Sequence, residues 1–186
     1  RENWRGVERV IVPVSSDGTR GSIAFDWISA RHAARDASGD PGAVVLTLGY
    51  NTGVFWFLHR FAGVTHLANM DGIEWQRAKW SVPVRAWFYL NEKVGSLLAN
   101  HLIADHPEIK RRLTRNVAAE KITTAWYGAD EITEADPGLL EPFGLLPGAY
   151  SLLVARPEPE NSILEIVTAF SALDTDHRLV VLGHLE

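Results

Sequence analysis

Short apolar runs rich in valine, isoleucine and leucine recur at residues 10–14, 43–48, 64–68, 101–104, 122–126, 150–155 and 178–182, with stretches of helical periodicity between them. Several runs are apolar throughout rather than alternating, the pattern of parallel strands covered on both faces. This succession predicts an α/β fold: a Rossmann-like parallel sheet with flanking helices. Asp26 is placed to cap a helix through Arg35, and Asp105 or His106, followed by Pro107, opens one carrying Ile109 and Leu113. Leu90, Val94, Leu97 and Leu98 mark the apolar face of a helix that Pro83 starts or kinks. After Glu160, the residues Ile163, Ile166, Val167 and Phe170 fall at i, i+3, i+4 and i+7 of another.

The texture changes over 128–148, where GADEITEADPGLLEPFGLLPG holds three prolines, four glycines and five acids without a sustained period. Such a stretch reads as a linker or a long crossing loop. It predicts a boundary near residue 146, with a sheet domain over 1–146 and a strand, helix and strand over 149–186. That remainder is too short to complete a second Rossmann-like domain. The chain shows no internal repeat and no low-complexity tract.

Composition narrows the partners. The 186 residues, 46% of them hydrophobic, suffice for one sizeable core. Eighteen Lys plus Arg against 23 Asp plus Glu give a net charge of -5. With no dense basic block, this argues against nucleic acid and for small or neutral partners. The chain has no cysteine, which excludes disulfides, thiolate catalysis and Cys-ligated zinc. No apolar run approaches the length of a membrane span and no signal-peptide pattern opens the chain, so the cytoplasm is the default expectation. The chain opens at Arg1 and its one methionine is Met70, which reads as a piece of a longer reading frame or a processed product.

In an open parallel sheet, ligands gather beyond the carboxyl ends of the strands. Polar and aromatic residues accumulate there: Tyr50 and Asn51 after the second run, then MDGIEWQRAKW with Asp71, Glu74, Trp75, Arg77, Lys79 and Trp80. Asp105-His106, Tyr127-Gly128-Ala129-Asp130, and Arg156 ahead of PEPEN follow the later runs. Tryptophan faces lie against sugar rings while carboxylates and amides hold hydroxyls by directed hydrogen bonds, so the set suits a carbohydrate. The residues alone leave open that Trp75 and Trp80 pack under the sheet and that Glu74, Arg77 and Lys79 solvate a helix start. Arg156, with the helix N-terminus near Glu160, is placed to hold a diphosphate. Its alternative is a surface arginine paired with Glu158 or Glu160. GxG, Walker, GxSxG and HExxH motifs are absent, and the seven histidines show no usual metal-ligand spacing.

The blocks VVLTLGYNTGVF, ANMDGIEWQRAKW, NHLIADHPEI, KITTAWYGAD and ARPEPENSILEIVTAFS occur in this order. Together they resemble bacterial rhamnosyltransferase-like glycosyltransferases of the retaining GT-B group, glycosyltransferase family four. The resemblance runs from about Gly21 onward. It implies an acceptor-side Rossmann-like domain followed by the beginning of a donor-side one. It places a first strand and glycine-rich loop before this chain, and paired donor-gripping glutamates after it, so that the fragment alone is inactive. The implied reaction moves a sugar from a nucleotide-diphosphate donor to a saccharide or lipid-linked acceptor in cell-surface polysaccharide synthesis, without cofactor or metal. That work places the full-length enzyme in the cytoplasm, at the inner face of the membrane. Within it, Asp71 orients the acceptor or the reacting sugar and Arg156 stabilises the departing diphosphate. Tyr50, Asn51, Glu74, Trp75, Arg77, Lys79, Glu160 and Asn161 complete the expected site; a lysine that relatives often carry shortly after the arginine is replaced here by Glu160 and Asn161. A non-catalytic module binding carbohydrate or sugar nucleotide, and a structural α/β module for protein assembly, are the alternatives.

Overall fold

In the computed structural model, which describes residues 2–183, the chain opens with a hairpin. Strands β1 (Glu2–Trp4) and β2 (Val7–Arg9) pair antiparallel around Arg5 and Gly6, whose φ values of 51° and 83° give a turn matched to strand twist. The strand expected over 10–14 is not formed. Pairing falls just upstream, at the residues the turn brings into register.

Next come α1 (Gly18–Asp36), β3 (Val44–Leu48), a 3₁₀ turn (Gly53–Trp56), α2 (Phe57–Phe61) and β4 (Thr65–Asn69). A second 3₁₀ turn (Glu74–Gln76), α3 (Val82–Leu98), β5 (His101–Ala104), α4 (Pro107–Leu113) and β6 (Ile122–Thr124) follow. The four strands β3 to β6 form one parallel sheet in chain order, with the helices between them, as the apolar runs predict. Leu48 pairs with Asn69, Asn69 with Ile103, and Ala104 with Thr124, so all four strands end at one edge. Below that edge Trp56, Ala68, Met70, Phe88, Leu102 and Leu113 form the core.

Three local expectations change. Asp26 does not cap α1, which begins at Gly18; it sits within the helix and its carboxylate accepts a 2.9 Å hydrogen bond from Thr52 Oγ1. The cap expected ahead of Pro107 is His106, whose ring nitrogen accepts from the Glu108 amide at 3.1 Å. β3 is an edge strand covered on one side: Val44, Leu46 and Leu48 are all more than half exposed, Leu48 at 79%. On α3 the buried face is Phe88, Asn91, Glu92, Gly95 and Ser96, while Leu90 and Leu97 of the expected apolar stripe face solvent. The buried polar groups of α3 are partners for neighbouring loops, which outweighs the hydrophobic pattern at this helix.

The chain divides into two compact units, at Tyr127 and Gly128 rather than near 146. The segment 128–148 thus belongs to the second unit. There, a 3₁₀ helix (Pro137–Phe143) is capped by Asp136, whose Oδ1 accepts from the Gly138 amide at 2.9 Å. It ends at Gly144, whose φ of 61° only glycine adopts freely, and whose carbonyl accepts from the Arg178 guanidinium at 2.7 Å. Strands β7 (Tyr150–Val154) and β8 (Arg178–Leu182) pair in parallel, joined through a 3₁₀ turn (Pro159–Asn161) and α5 (Ile163–Ser171). Every fully buried apolar side chain among the described residues lies in the first unit. No helix among them is long and apolar enough to cross a membrane.

Candidate functional site

The loop after β4 is built from a buried asparagine outward. Asn69 ends the strand, and its Oδ1 accepts the Asp71 amide at 2.8 Å. The Met70 amide donates to the Ile103 carbonyl at 2.8 Å, which carries the sheet ladder one residue further and buries Met70 in the core. Asp71 then turns out into solvent with a φ of 28°, a left-handed backbone that a non-glycine residue adopts at an energetic cost. An aspartate tolerates it better than most side chains. The strained turn fixes an exposed carboxylate at the rim of the sheet.

Beyond Asp71 the loop is tied inward. The Glu74 amide donates to the Tyr50 hydroxyl at 2.9 Å, and Tyr50 is buried. Burial above all pushes the Tyr50 phenol well above its ordinary range. Trp75 Nε1 donates to Glu92 Oε2 at 2.9 Å, and its ring meets the edge of Tyr89 at 5.4 Å and the Arg112 guanidinium at 5.7 Å. Glu92 is 1% exposed and also pairs with Arg112 from α4. The Glu74 carboxylate accepts from Arg77 Nη1 at 2.8 Å and from Trp80 Nε1 at 3.1 Å, and the Lys79 ammonium lies 5.2 Å from the Trp80 ring centre. Two of the expected sugar contacts, Tyr50 and Trp75, thus have their polar atoms committed to holding the loop.

The loop after β3 is fixed by close approach. A Cβ on Gly53 would stand 2.6 Å from the Asn91 carbonyl, and one on Gly95 2.7 Å from the Trp56 ring. These two glycines let the turn lie directly on α3, where the Asn91 side chain accepts the Val54 amide at 3.0 Å and Trp87 Nε1 donates to the Asn51 carbonyl at 2.9 Å. The result is a cavity of about 480 Å³, lined among others by Ser22, Asp26, Asn51, Glu74, Trp80 and Trp87. Asn51 and Glu74 therefore meet at one hollow, with Trp80 and Trp87 as its aromatic walls. Asp26 joins them from α1, its carboxyl held above the ordinary range by burial against the opposing effect of the Thr52 bond.

Two residues outside the expected set complete the rim. Asp105 directly follows β5 and Tyr127 lies just beyond β6; the sequence puts both on this edge without giving either a role. The Tyr127 phenol is raised above its ordinary range first by the Asp105 carboxylate, then by partial loss of water and by Asp71. Asn69, Asp71, Asp105 and Tyr127 are thus neighbours at the ends of three adjacent strands. Among the described residues no three or more His, Asp or Glu side chains gather in a way that could hold a metal ion.

Arg156, Glu160 and Asn161 lie in the second unit and form one turn. The Arg156 carbonyl accepts from the Glu158 amide at 2.7 Å and from Asn161 Nδ2 at 2.8 Å. Its side chain is exposed just past β7. The turn leads into α5 through Ser162, whose φ is 49°.

No curated protein matches the chain. Among solved structures, the UDP-N-acetylglucosamine 2-epimerase of Rickettsia bellii is similar to it with a TM-score of 0.55 at 15% identity. The match covers 92% of this chain and 46% of that one, so the chain spans about half of that structure's length. At that identity the likeness shows a shared Rossmann-like architecture. The DUF1972 family model, described as a domain of unknown function, matches residues 3–130, which holds β2 to β6 and all but the first residue of β1, and the chain belongs to that family.

Proposed function

We propose that this chain is part of a carbohydrate-active enzyme, a retaining glycosyltransferase that moves a sugar from a nucleotide-diphosphate donor to a saccharide or lipid-linked acceptor. The observation that carries this reading is the strained, exposed Asp71 at the carboxyl edge of the parallel sheet. Backbone strain of this kind persists where the surroundings over-determine it, and it concentrates at functional sites. The Rossmann-like fold, shared with an enzyme named for a UDP-sugar, and the sequence resemblance to family-four transferases support the same reading.

In the proposed mechanism, Asp71 accepts a hydrogen bond from a sugar hydroxyl and fixes its orientation toward the reacting carbon. Asn51 and Glu74 hold further hydroxyls at the cavity, and Trp80 and Trp87 offer apolar faces to the ring. In the second unit, taken by itself, Arg156 and the amides at the start of α5 offer a guanidinium and free N–H donors to a diphosphate. Membrane-proximal work on a lipid-linked acceptor belongs to the same proposal. The test is Asp71→Ala in the complete protein, assayed with a panel of UDP- and dTDP-sugars. We expect turnover to fall at least 100-fold, on the order of what loss of a positioning group costs, with an unchanged melting temperature. Near-normal turnover would remove Asp71 from the site. Sugar binding without turnover in the unaltered protein would instead make the domain a non-catalytic binder.

A further inference from the structure

The hollow beside the loops after β3 and β4 is amphipathic, and the polar and apolar parts of its lining come from different elements. Thr19, Ser22, Ile23 and Asp26 line it from α1 at the i, i+3, i+4 and i+7 spacing of a single helical face. Three of these four side chains are polar, where a helix face packed on protein is ordinarily apolar. From α3 and the turn before it come Trp80, Trp87 and Phe88, with the Trp80 and Phe88 ring centres 5.5 Å apart. The hydrogen bonds around the hollow are polarised as well. Ser22 Oγ donates to the Gly18 carbonyl at 3.2 Å, Thr52 Oγ1 to Asp26 Oδ2 at 2.9 Å, Trp80 Nε1 to Glu74 Oε2 at 3.1 Å and Trp87 Nε1 to the Asn51 carbonyl at 2.9 Å. Those four donors are spent within the protein, while the Ser22 oxygen and the Asp26 carboxylate keep acceptor capacity. Of the two carboxylates in the lining, Glu74 is paired with Arg77, whereas Asp26 has no ion pair among the described residues.

We infer that this face of α1 is the hydroxyl-reading wall of the hollow, with Asp26 as the residue that selects a neutral sugar ring over an anionic one. The inference rests on the transferase reading and names the ligand class of its cavity. A pyranose matches the lining in both respects: its hydroxyls bring donors to Asp26 and Ser22, and its C–H face lies on indole. A uronate or a phosphate brings negative charge toward the Asp26 carboxylate and is disfavoured. Thr52 is the positioning residue, since its hydroxyl ties Asp26 of α1 to the loop after β3.

The test is a chemical-shift titration of this chain at neutral pH with D-glucose, N-acetyl-D-glucosamine and L-rhamnose, with D-glucuronate, and separately with UDP. It reads the indole N–H signals of Trp80 and Trp87, assigned by difference against Trp80→Phe and Trp87→Phe, and the amides of residues 51 and 52. At least one neutral sugar is expected to shift these signals, and UDP to leave them in place. Asp26→Asn should weaken that sugar about 10-fold, the worth of a hydrogen bond to a charged group, and narrow the preference for it over D-glucuronate. A purely structural role for Asp26 would weaken neutral and anionic sugars alike and leave that preference unchanged, which overturns the inference, as does unchanged affinity for the neutral sugar. If Asp26→Asn does not fold, Ser22→Ala decides: a loss of about 3-fold is expected, and no loss overturns the wall. Sugar-induced shifts elsewhere in the first unit with this hollow silent overturn the inference and leave the transferase reading standing. If no sugar moves any signal the inference falls, and the transferase reading is decided separately by turnover in the complete protein.

Discussion

Glu92 shows how much of the site depends on a residue that touches no solvent. One of its oxygens receives both the Trp75 indole and the Arg112 guanidinium, so a single buried charge ties the loop after β4 to α3 and α4. Replacing it with glutamine keeps the shape but leaves Arg112, only 14% exposed, without its counter-charge. Breaking a buried pair from one side costs roughly 3–5 kcal/mol. Glu92→Gln should therefore lower the unfolding free energy in urea by about that amount. A loss well under 1 kcal/mol would show the pair to be dispensable. None of this was legible in the sequence, where Glu92 is one acid among many in a helix and its partners lie 17 and 20 positions away. Asp71 was legible, because a carboxylate immediately after a strand of a parallel sheet has only one place to be. Tyr50 and Trp75 were placed on the right edge, but their polar atoms turn inward, a direction set by partners from distant elements.

At the scale of elements, the strands of the sheet were read within a residue or two, because each apolar run is bounded by glycine, proline or polar residues. The orientation of α3 was not. Its leucines define one face, yet the helix buries the face that carries Asn91, Glu92, Gly95 and Ser96. The reason is contact: Gly95 meets Gly53 and the Trp56 ring, and only residues without side chains allow the loop after β3 to lie that close. Gly95→Ala gains helix propensity but must displace Trp56 or the turn, and overpacking of this kind costs about 1–3 kcal/mol. A thermal melt should show the variant less stable than the parent. A stabilised variant would mean that the close approach between turn and helix is not maintained in solution. The exposed apolar face of β3 likewise escaped the sequence, which cannot tell an edge strand from a central one when both are apolar throughout.

For the whole molecule, the fully buried apolar side chains among the described residues lie in the first unit, and so does the buried pair His59 and His66. Burial depresses the ring of His59, and burial together with His59 depresses His66 to about 3. Both histidines are neutral in the folded protein, whereas the unfolded chain takes up their protons near the ordinary value of about 6.5. Below that pH the unfolded state binds more protons, so stability is full above pH 6.5 and declines as pH falls toward about 3. Urea titrations at pH 7.5 and pH 5 should differ in that direction, and His66→Gln should reduce the difference. An identical midpoint at both pH values would contradict the burial of the pair.

The functional reading depends on one placement: the carboxyl edge of the β3–β6 sheet is where a sugar is recognised. The most direct measurement is the chemical-shift map of the chain on addition of UDP-N-acetylglucosamine and of dTDP-rhamnose. The expected result is that, within the first unit, the perturbed amides cluster at residues 49–52, 69–77, 105–106 and 125–127, the loops beyond the ends of the four strands. Perturbations confined to the opposite ends of those strands, or no perturbation by either sugar nucleotide, would contradict that placement.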